Sequence, residues 1–393
     1  MKTEKLLTPK KEAELIGFAQ DLVRIKSMTG DEEEIITVLE KKMTDIGYDE
    51  ITVDAMGNLV GRIGDGNNKI LFDSHVDTVD VKDEGEWNVP PFSGRIVDGS
   101  LWGRGAVDMK SGAAASIYAG AVAKNAGLDS DTAIYVSCTV MEEDCDGENL
   151  KHVFKELDLR PDYVVICEPS GNKITLGHKG KAQISIKTHG VSAHGSAPEK
   201  GVNAIYEMAE IIQRVEKCNE ALMQKDCPRG TLVMSNISSK SASLNAVPSA
   251  CEAYLDRRMV PGETEDVIRR EMDGIIKGKH ATWAVEALTR QSWTGMTIQY
   301  EPFHLAWKID ENHGLTKKCV AAYQKVFNCD PNGFDFWDFS TNAVTPVSMG
   351  IPTIGFGPGD YKLAHMRNER CNIQQIVDAC HFYAQLAMSL GKK

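Results

Sequence analysis

Ten cysteines are scattered along the 393 residues, and no two stand at the CxxC spacing of a zinc ribbon or a redox pair. Several fall inside apolar runs, such as Cys138 in AIYVSCTVM, where a thiol serves as a small hydrophobe. Reduced thiols in a reducing compartment, and so a cytoplasmic location, are the expectation. No run approaches the ~20 apolar residues of a membrane-spanning helix, which argues against a membrane protein. The opening stretch MKTEKLLTPKKEAELIGFAQ has no apolar core of the length a signal peptide needs. Positive charge is in deficit as well. With 44 Lys and Arg against 56 Asp and Glu, the net charge is −12, which excludes wrapping a nucleic acid or coating an anionic membrane. Small substrates stay open, because a local pocket can carry the opposite sign. Neither an internal repeat nor a low-complexity segment is present.

A hydrophobic share of 42% and a charged share of 25% belong to an ordinary globular chain, here long enough for two domains. Residues 10–47 carry apolar positions at helical spacing, and the break SMTGDEEE starts a second helix with acids in its first turn, as the macrodipole favours. GNLVGRI and KILFDSHV follow as strands, and the GDGNN between them predicts a hairpin turn. MKSGAAASIYAGAVAKNAG is a helix of small residues suited to close packing on a sheet, and TAIYVSCTVM and DYVVICEPS are buried strands. Alternating helices and apolar strands predict an α/β sheet covered on both faces. Near Gly180 the pattern changes to β-α-β-β-α-β, a ferredoxin-like unit, and from about 293 the α/β pattern resumes. The expected organisation is a catalytic domain built from 1–180 and 293–393, with an α+β unit, 181–292, inserted into it.

In LFDSHVDTVD an apolar strand finishes on His75 and Asp77, two residues apart, at the end where open α/β sheets place ligands. Taken alone, that pair fits a hydrogen-bonded strand end as well as a metal or catalytic site. Other acids and a histidine sit at similar places. GRGAVDMKSG puts Asp108 just before a helix, MEEDCDG puts Glu142 and Glu143 after a strand, ICEPS ends a strand on Glu168, and GFGPGDYKLAHMRNE carries His365. Any one of these is ordinarily a solvated acid or loop histidine. Together, His75, Asp108, Glu143, Glu168 and His365 supply two imidazoles and three carboxylates, enough for two zinc ions if one carboxylate and a water bridge them. Nitrogen and oxygen donors without thiolate suit zinc first, and cobalt or manganese also. Glu142 is then a spare acid, placed as a hydrolase needs its general base.

The motifs SHVDTVD, GRGAVDMKSG, MEED, CEPS, GVSAHGSAPEKGVNAI and AHMRNE resemble, in order and over nearly the whole chain, the di-zinc acetylornithine deacetylase, succinyl-diaminopimelate desuccinylase and glutamate carboxypeptidase family. WDFSTNAV and IPTIGFGPGD further resemble its branch of selenium-metabolism hydrolases. The resemblance implies a mixed-sheet α/β zinc-peptidase catalytic domain with an inserted ferredoxin-like lid, through which a homodimer forms. It implies cleavage of a peptide, N-acyl or N-carbamoyl amide in a small carboxylate-bearing substrate, by a metal-bridging water. His75 and Glu168 would hold one metal, Glu143 and His365 the other, and Asp108 would bridge them through a residue whose bond to Met109 is cis. Asp77 would orient His75, and Glu142 would be general base and then proton donor. His194 would donate to the oxyanion, Arg258 rather than Arg257 would grip the substrate carboxylate, and Asn245 and Asn342 would touch substrate. Two departures stand out: Asp80 where relatives often have proline, and FSTNAV where the family commonly has a GTSD-like segment.

Two rival readings remain. One is a metal-containing binding or regulatory protein that has lost turnover; an intact Glu142 argues against it. The other is a nucleotide loop at GFGPGDYK, which lacks the P-loop's lysine and hydroxyl pattern.

Overall fold

The computed structural model describes residues 6–391. Its larger body is a nine-stranded mixed sheet. The strands run in the order Glu50–Val53, Leu59–Ile63, Thr132–Thr139, Asn68–His75, Tyr163–Ile166, Thr353–Gly355, Thr175–His178 and Trp307–Lys308, with Asp335–Trp337 paired onto Thr175–His178. Four central strands are parallel: Thr132–Thr139, Asn68–His75, Tyr163–Ile166 and Thr353–Gly355. Strands buried on both faces must be apolar on both sides, and in Asn68–His75 every residue from Ile70 onward is buried. The small-residue helix Lys110–Asn125 is buried along its whole length to Ala123, and Ala and Gly let it lie close to the sheet beneath the helix Ile373–Ala387.

One expectation fails here. Leu59–Ile63 and Asn68–His75 do not form a hairpin, because Thr132–Thr139 lies between them, antiparallel to the first and parallel to the second. The GDGNN segment is instead a close-packed crossover. A Cβ on Gly66 would lie 2.0 Å from the Asp131 carbonyl carbon, so only glycine fits. Turn chemistry reports that the chain bends, but the far more apolar TAIYVSCT claims the central position.

The chain leaves this sheet at Gly180 and builds a second one, ordered Thr231–Lys240, Ala250–Met259, Gly180–His189, Ala281–Val285, all antiparallel. The helices Ala204–Met223 and Glu265–Ile276 pack on it around a core of its own, including Ile184, Ile186, Met208, Leu255 and Met272. This is the β-α-β-β-α-β order expected. The return is gradual: Ile298 and Tyr300 already belong to the larger core, whereas Phe303–His304 pairs with the strand Gly180–His189. None of the ten cysteines is in a disulfide, and among the described residues no helix is long and apolar enough to cross a membrane.

Candidate metal centre

Parallel neighbours end on the same edge of a sheet, and three of them carry the acids and a histidine there. His75 closes Asn68–His75, Glu142 and Glu143 follow Thr132–Thr139, and Glu168 follows Tyr163–Ile166. Asp108 stands two residues before the helix Lys110–Asn125, on a cis bond to Met109 as the resemblance implied. His365 reaches in from the loop after Thr353–Gly355 at a left-handed φ of 60°. All five residues counted as candidate ligands converge.

Asp108 is at the centre. Its Oδ1 lies 2.9 Å from His75 Nε2 and its Oδ2 lies 3.2 Å from His365 Nε2, so each oxygen faces a different imidazole. His75 Nε2 is 3.5 Å from Glu168 Oε1, and His365 Nε2 is 3.0 Å from Glu143 Oε2. Candidate ligand atoms of His75, Asp108 and Glu143 lie within 4.8 Å of one another, as do those of His75, Glu142 and Glu168. Burial pushes the Glu142 and Glu168 carboxyls well above the usual carboxylate range, and their acidic neighbours add to it. Glu143 is raised for the same reasons. Hydrogen bonds to Asp108 and Glu143 raise His365 to about 11, and the pair of imidazoles holds Asp108 low against the effect of its burial. Three carboxylates (Asp108, Glu143 and Glu168) and two imidazoles, with no thiolate, form a donor set suited to divalent zinc, cobalt or manganese. The residues fit the group.

Asp77 does more than was expected of it. The His75 Nδ1 lies 3.0 Å from the Asp77 backbone carbonyl and 3.5 Å from its carboxylate. The carboxylate itself accepts the Glu142 N–H at 3.1 Å, the Glu143 N–H at 3.2 Å and the Thr29 hydroxyl at 2.9 Å. It therefore holds the acid-bearing turn as well as standing behind the imidazole.

Sequence reasoning missed several residues. Glu369 is buried, accepts the Val107 and Asp108 N–H groups at 2.8 and 3.1 Å, and pairs with Arg104 at 2.6 Å. Arg104 in turn reaches the His365 carbonyl, at 3.4 Å. The signal was present in AHMRNE, where Glu369 stands four residues after His365. The cleft above the cluster, about 300 Å³, is also lined by Asp146, Lys181, Arg258, Phe339, Ser340 and Tyr361. Lys181 pairs with the buried Asp146 at 2.5 Å. A larger cavity of about 450 Å³ against the helix Glu265–Ile276 gathers no such cluster; its Glu265 is paired with Arg269.

Strand alternation separates the two arginines. Arg257 points into the inserted core, fully buried and paired with Glu263 and Glu271, and Arg258 faces the cleft beside Asp256. Asn342 does not line the cleft. It is buried, donates to Asp73 Oδ2 at 2.9 Å and Thr139 Oγ1 at 3.1 Å, and accepts the Gly147 N–H at 2.8 Å, so its amide is committed to framing the turn after Cys145. The expectation that Asn342 touches substrate is corrected on that ground. His194 and Asn245 are exposed in adjoining segments of the inserted unit, joined by the bridge His194–Ala246, and neither lines the cleft.

The glycines of GFGPGD have a packing role instead of a phosphate one. A Cβ on Gly355 would lie 2.0 Å from the Trp337 ring, and one on Gly357 would lie 2.2 Å from the Cys167 carbonyl oxygen and 2.4 Å from that of Glu168. Gly357→Ala is expected to destabilise the protein by about 1–3 kcal/mol through overpacking and to weaken metal binding by displacing Glu168. Denaturant unfolding with and without metal checks this; an unchanged midpoint in both would contradict it.

The chain matches the model of peptidase family M20/M25/M40 over residues 71–389. It is 35% identical over 382 residues to the Escherichia coli (strain K12) protein YgeY, which is described as uncharacterized; the match covers 96% of this chain and 94% of that one. A Vibrio cholerae acetylornithine deacetylase is 28% identical over 359 residues, 86% of each chain. Among solved structures, the fold is similar to the Bacillus subtilis YXEP protein, a dinuclear metal-binding peptidase from the M20 family. The TM-score is 0.69 at 14% identity, covering 96% of this chain and 97% of that one.

Proposed function

This chain belongs to peptidase family M20/M25/M40, and on that footing we propose that it hydrolyses the amide bond of a small N-acyl, N-carbamoyl or peptide-linked amino acid with a free carboxylate, using Glu142 as general base. It is a metal-dependent amidohydrolase of the deacylase or dipeptidase type. The observation that carries the reading is the division of Asp108 between two imidazoles, with Glu142 alongside, its Oε2 4.0 Å from His75 Nε2 and farther off than the Asp108 and Glu168 oxygens.

His75 with Glu168 and Glu143 with His365 would hold two divalent cations, zinc first, sharing Asp108. When bound, such ions lower the pKa of water and polarise the scissile carbonyl. The chain's own residues supply the rest. Glu142 takes the proton of the attacking water on its carboxylate and delivers it to the leaving nitrogen, work for which its place in the cleft beside the candidate ligands suits it. Arg258, whose Nε and Nη2 bond Asp256 at 2.8 and 3.1 Å, keeps its outer Nη1–Nη2 edge for the substrate carboxylate, on the same cleft as the acids. Phe339 and Tyr361, with ring centroids 5.8 Å apart, give that cleft an apolar wall. His194 and Asn245, exposed on the inserted unit, act on the cleft of a second subunit in a homodimer, where an imidazole donor stabilises the developing oxyanion. Ten free thiols fit a cytoplasmic setting.

The test is a panel of N-acyl, N-carbamoyl and dipeptide substrates given to metal-reconstituted protein, each paired with its carboxamide. Amine release from the free acids and not from the amides is expected. Protein that holds metal and releases amine from none of them would overturn the proposal. Within the panel, Arg258→Ala should raise KM by on the order of 10- to 100-fold, the loss of a charge-assisted bond pair, with kcat changed far less. A KM that stays put would remove Arg258 from the binding site.

A further inference from the structure

The acids of SMTGDEEE read as a solvated helix start, and Glu33 and Glu34 are indeed exposed. Glu32 is not. It is completely buried, at the N-cap position of the helix Glu33–Asp45, yet its side chain makes no capping bond to that helix. Its Oε1 accepts the Gly30 N–H at 3.0 Å and, from 109 positions along the chain, the Met141 N–H at 3.1 Å. Its Oε2 is buried with no hydrogen-bond partner, and no ion pair to it occurs among the described residues. Burying an acid without a cation beside it is a costly placement, which together with nearby Asp77 pushes this carboxyl up to about 8, and short polar residues serve an N-cap better than glutamate does.

What this carboxylate holds explains the placement. Met141, at φ 60° and ψ 23°, is the residue from which the four-residue helix Glu142–Cys145 starts, and no side chain of its own caps that helix. The leading N–H groups of a helix have no partner within it. Here three consecutive ones are taken from outside: Met141 by Glu32, and Glu142 and Glu143 by Asp77. The two carboxylates belong to one assembly, because Thr29, three residues before Glu32, donates its hydroxyl to Asp77. A backbone pinned at three successive amides fixes the direction in which the next two side chains leave, and those are Glu142 and Glu143.

We propose that Glu32 is a positioning residue: by accepting the Met141 N–H it locks the turn that aims Glu142 at the attacking water and Glu143 at its cation. This rests on the function proposed above, and its test separates the two. Glu32→Met keeps the side-chain length without an acceptor, and Glu32→Gln keeps the acceptor oxygen without the charge. Hydrogen exchange in the peptide spanning 140–145 should be at least ~10-fold faster in Glu32→Met than in wild type and near wild type in Glu32→Gln. With metal restored, kcat should fall by about 10- to 100-fold in Glu32→Met while KM stays within ~3-fold, and Glu32→Gln should recover most of the loss. A misfolded Glu32→Met is replaced by Glu32→Leu in the same comparison. Wild-type exchange and turnover in the apolar variant overturn the inference, as does a Glu32→Gln variant as impaired as Glu32→Met. The exchange measurement needs no substrate, so wild-type protein that hydrolyses nothing defeats the proposed function and leaves the Glu32 result standing on its own.

Discussion

Glu142→Gln should bind the same complement of metal as wild type and lose amide hydrolysis by a factor on the order of 10² to 10⁴, the usual contribution of a general base. Glutamine has the same shape, but its amide cannot take up a proton. The expectation of unchanged metal rests on distance: toward His75 Nε2, Glu142 stands at 4.0 Å, behind Asp108 at 2.9 Å and Glu168 at 3.5 Å. Both changes should appear in a single preparation, with metal counted by mass spectrometry and turnover by amine release. The fall should lie in kcat and kcat/KM together, because the lost interaction exists only in the transition state. If Glu142→Gln loses metal in step with activity, Glu142 is a ligand, and the base must be sought elsewhere.

His75→Ala should behave in the opposite way. It is expected to lower metal stoichiometry by about one ion per chain and to abolish turnover, because the imidazole faces Asp108 and Glu168 together from a fully buried position. A second effect should follow in metal-free protein. Burial opposes charge on the imidazole there, but the bonds to Asp108 and Asp77 outweigh that and raise its pKa well above the ordinary value. Removing one partner of such a buried pair costs about 3–5 kcal/mol, so the metal-free variant should melt well below metal-free wild type. Calorimetry with and without chelator reads this directly. Full metal content in His75→Ala would remove His75 from the cage.

Much of this was legible in the chain itself. Strand ends carrying His75, Glu142, Glu143 and Glu168 could be recognised because buried parallel strands are continuous apolar runs, and a charged residue marks where each one stops. The change of pattern at Gly180 was legible for the same reason: period-two alternation in KAQISIKTHG announces a sheet with one solvated face. Alternation also separated Arg257 from Arg258. The crossover that replaces the hairpin expected at GDGNN was not recoverable, since which strand lies beside which depends on the relative burial of segments distant in sequence. Asn342 misled for a related cause. Ser340 and Thr341 before it are polar, and nothing local reveals that Asp73 and Thr139 lie close enough to claim its amide.

By itself the order of residues pointed to the elements, to the change of pattern at Gly180 and to the five side chains that the fold brings together, because each of these is written in local periodicity or in a short motif. Tertiary structure alone decided what stands behind those donors. Asp77 gripping two amides, Glu369 holding the Asp108 backbone, and Glu32 buried against Met141 are contacts across 65, 261 and 109 positions. A hydrogen bond depends on separation in space, and the chain brings such partners together only when its apolar strands have been buried.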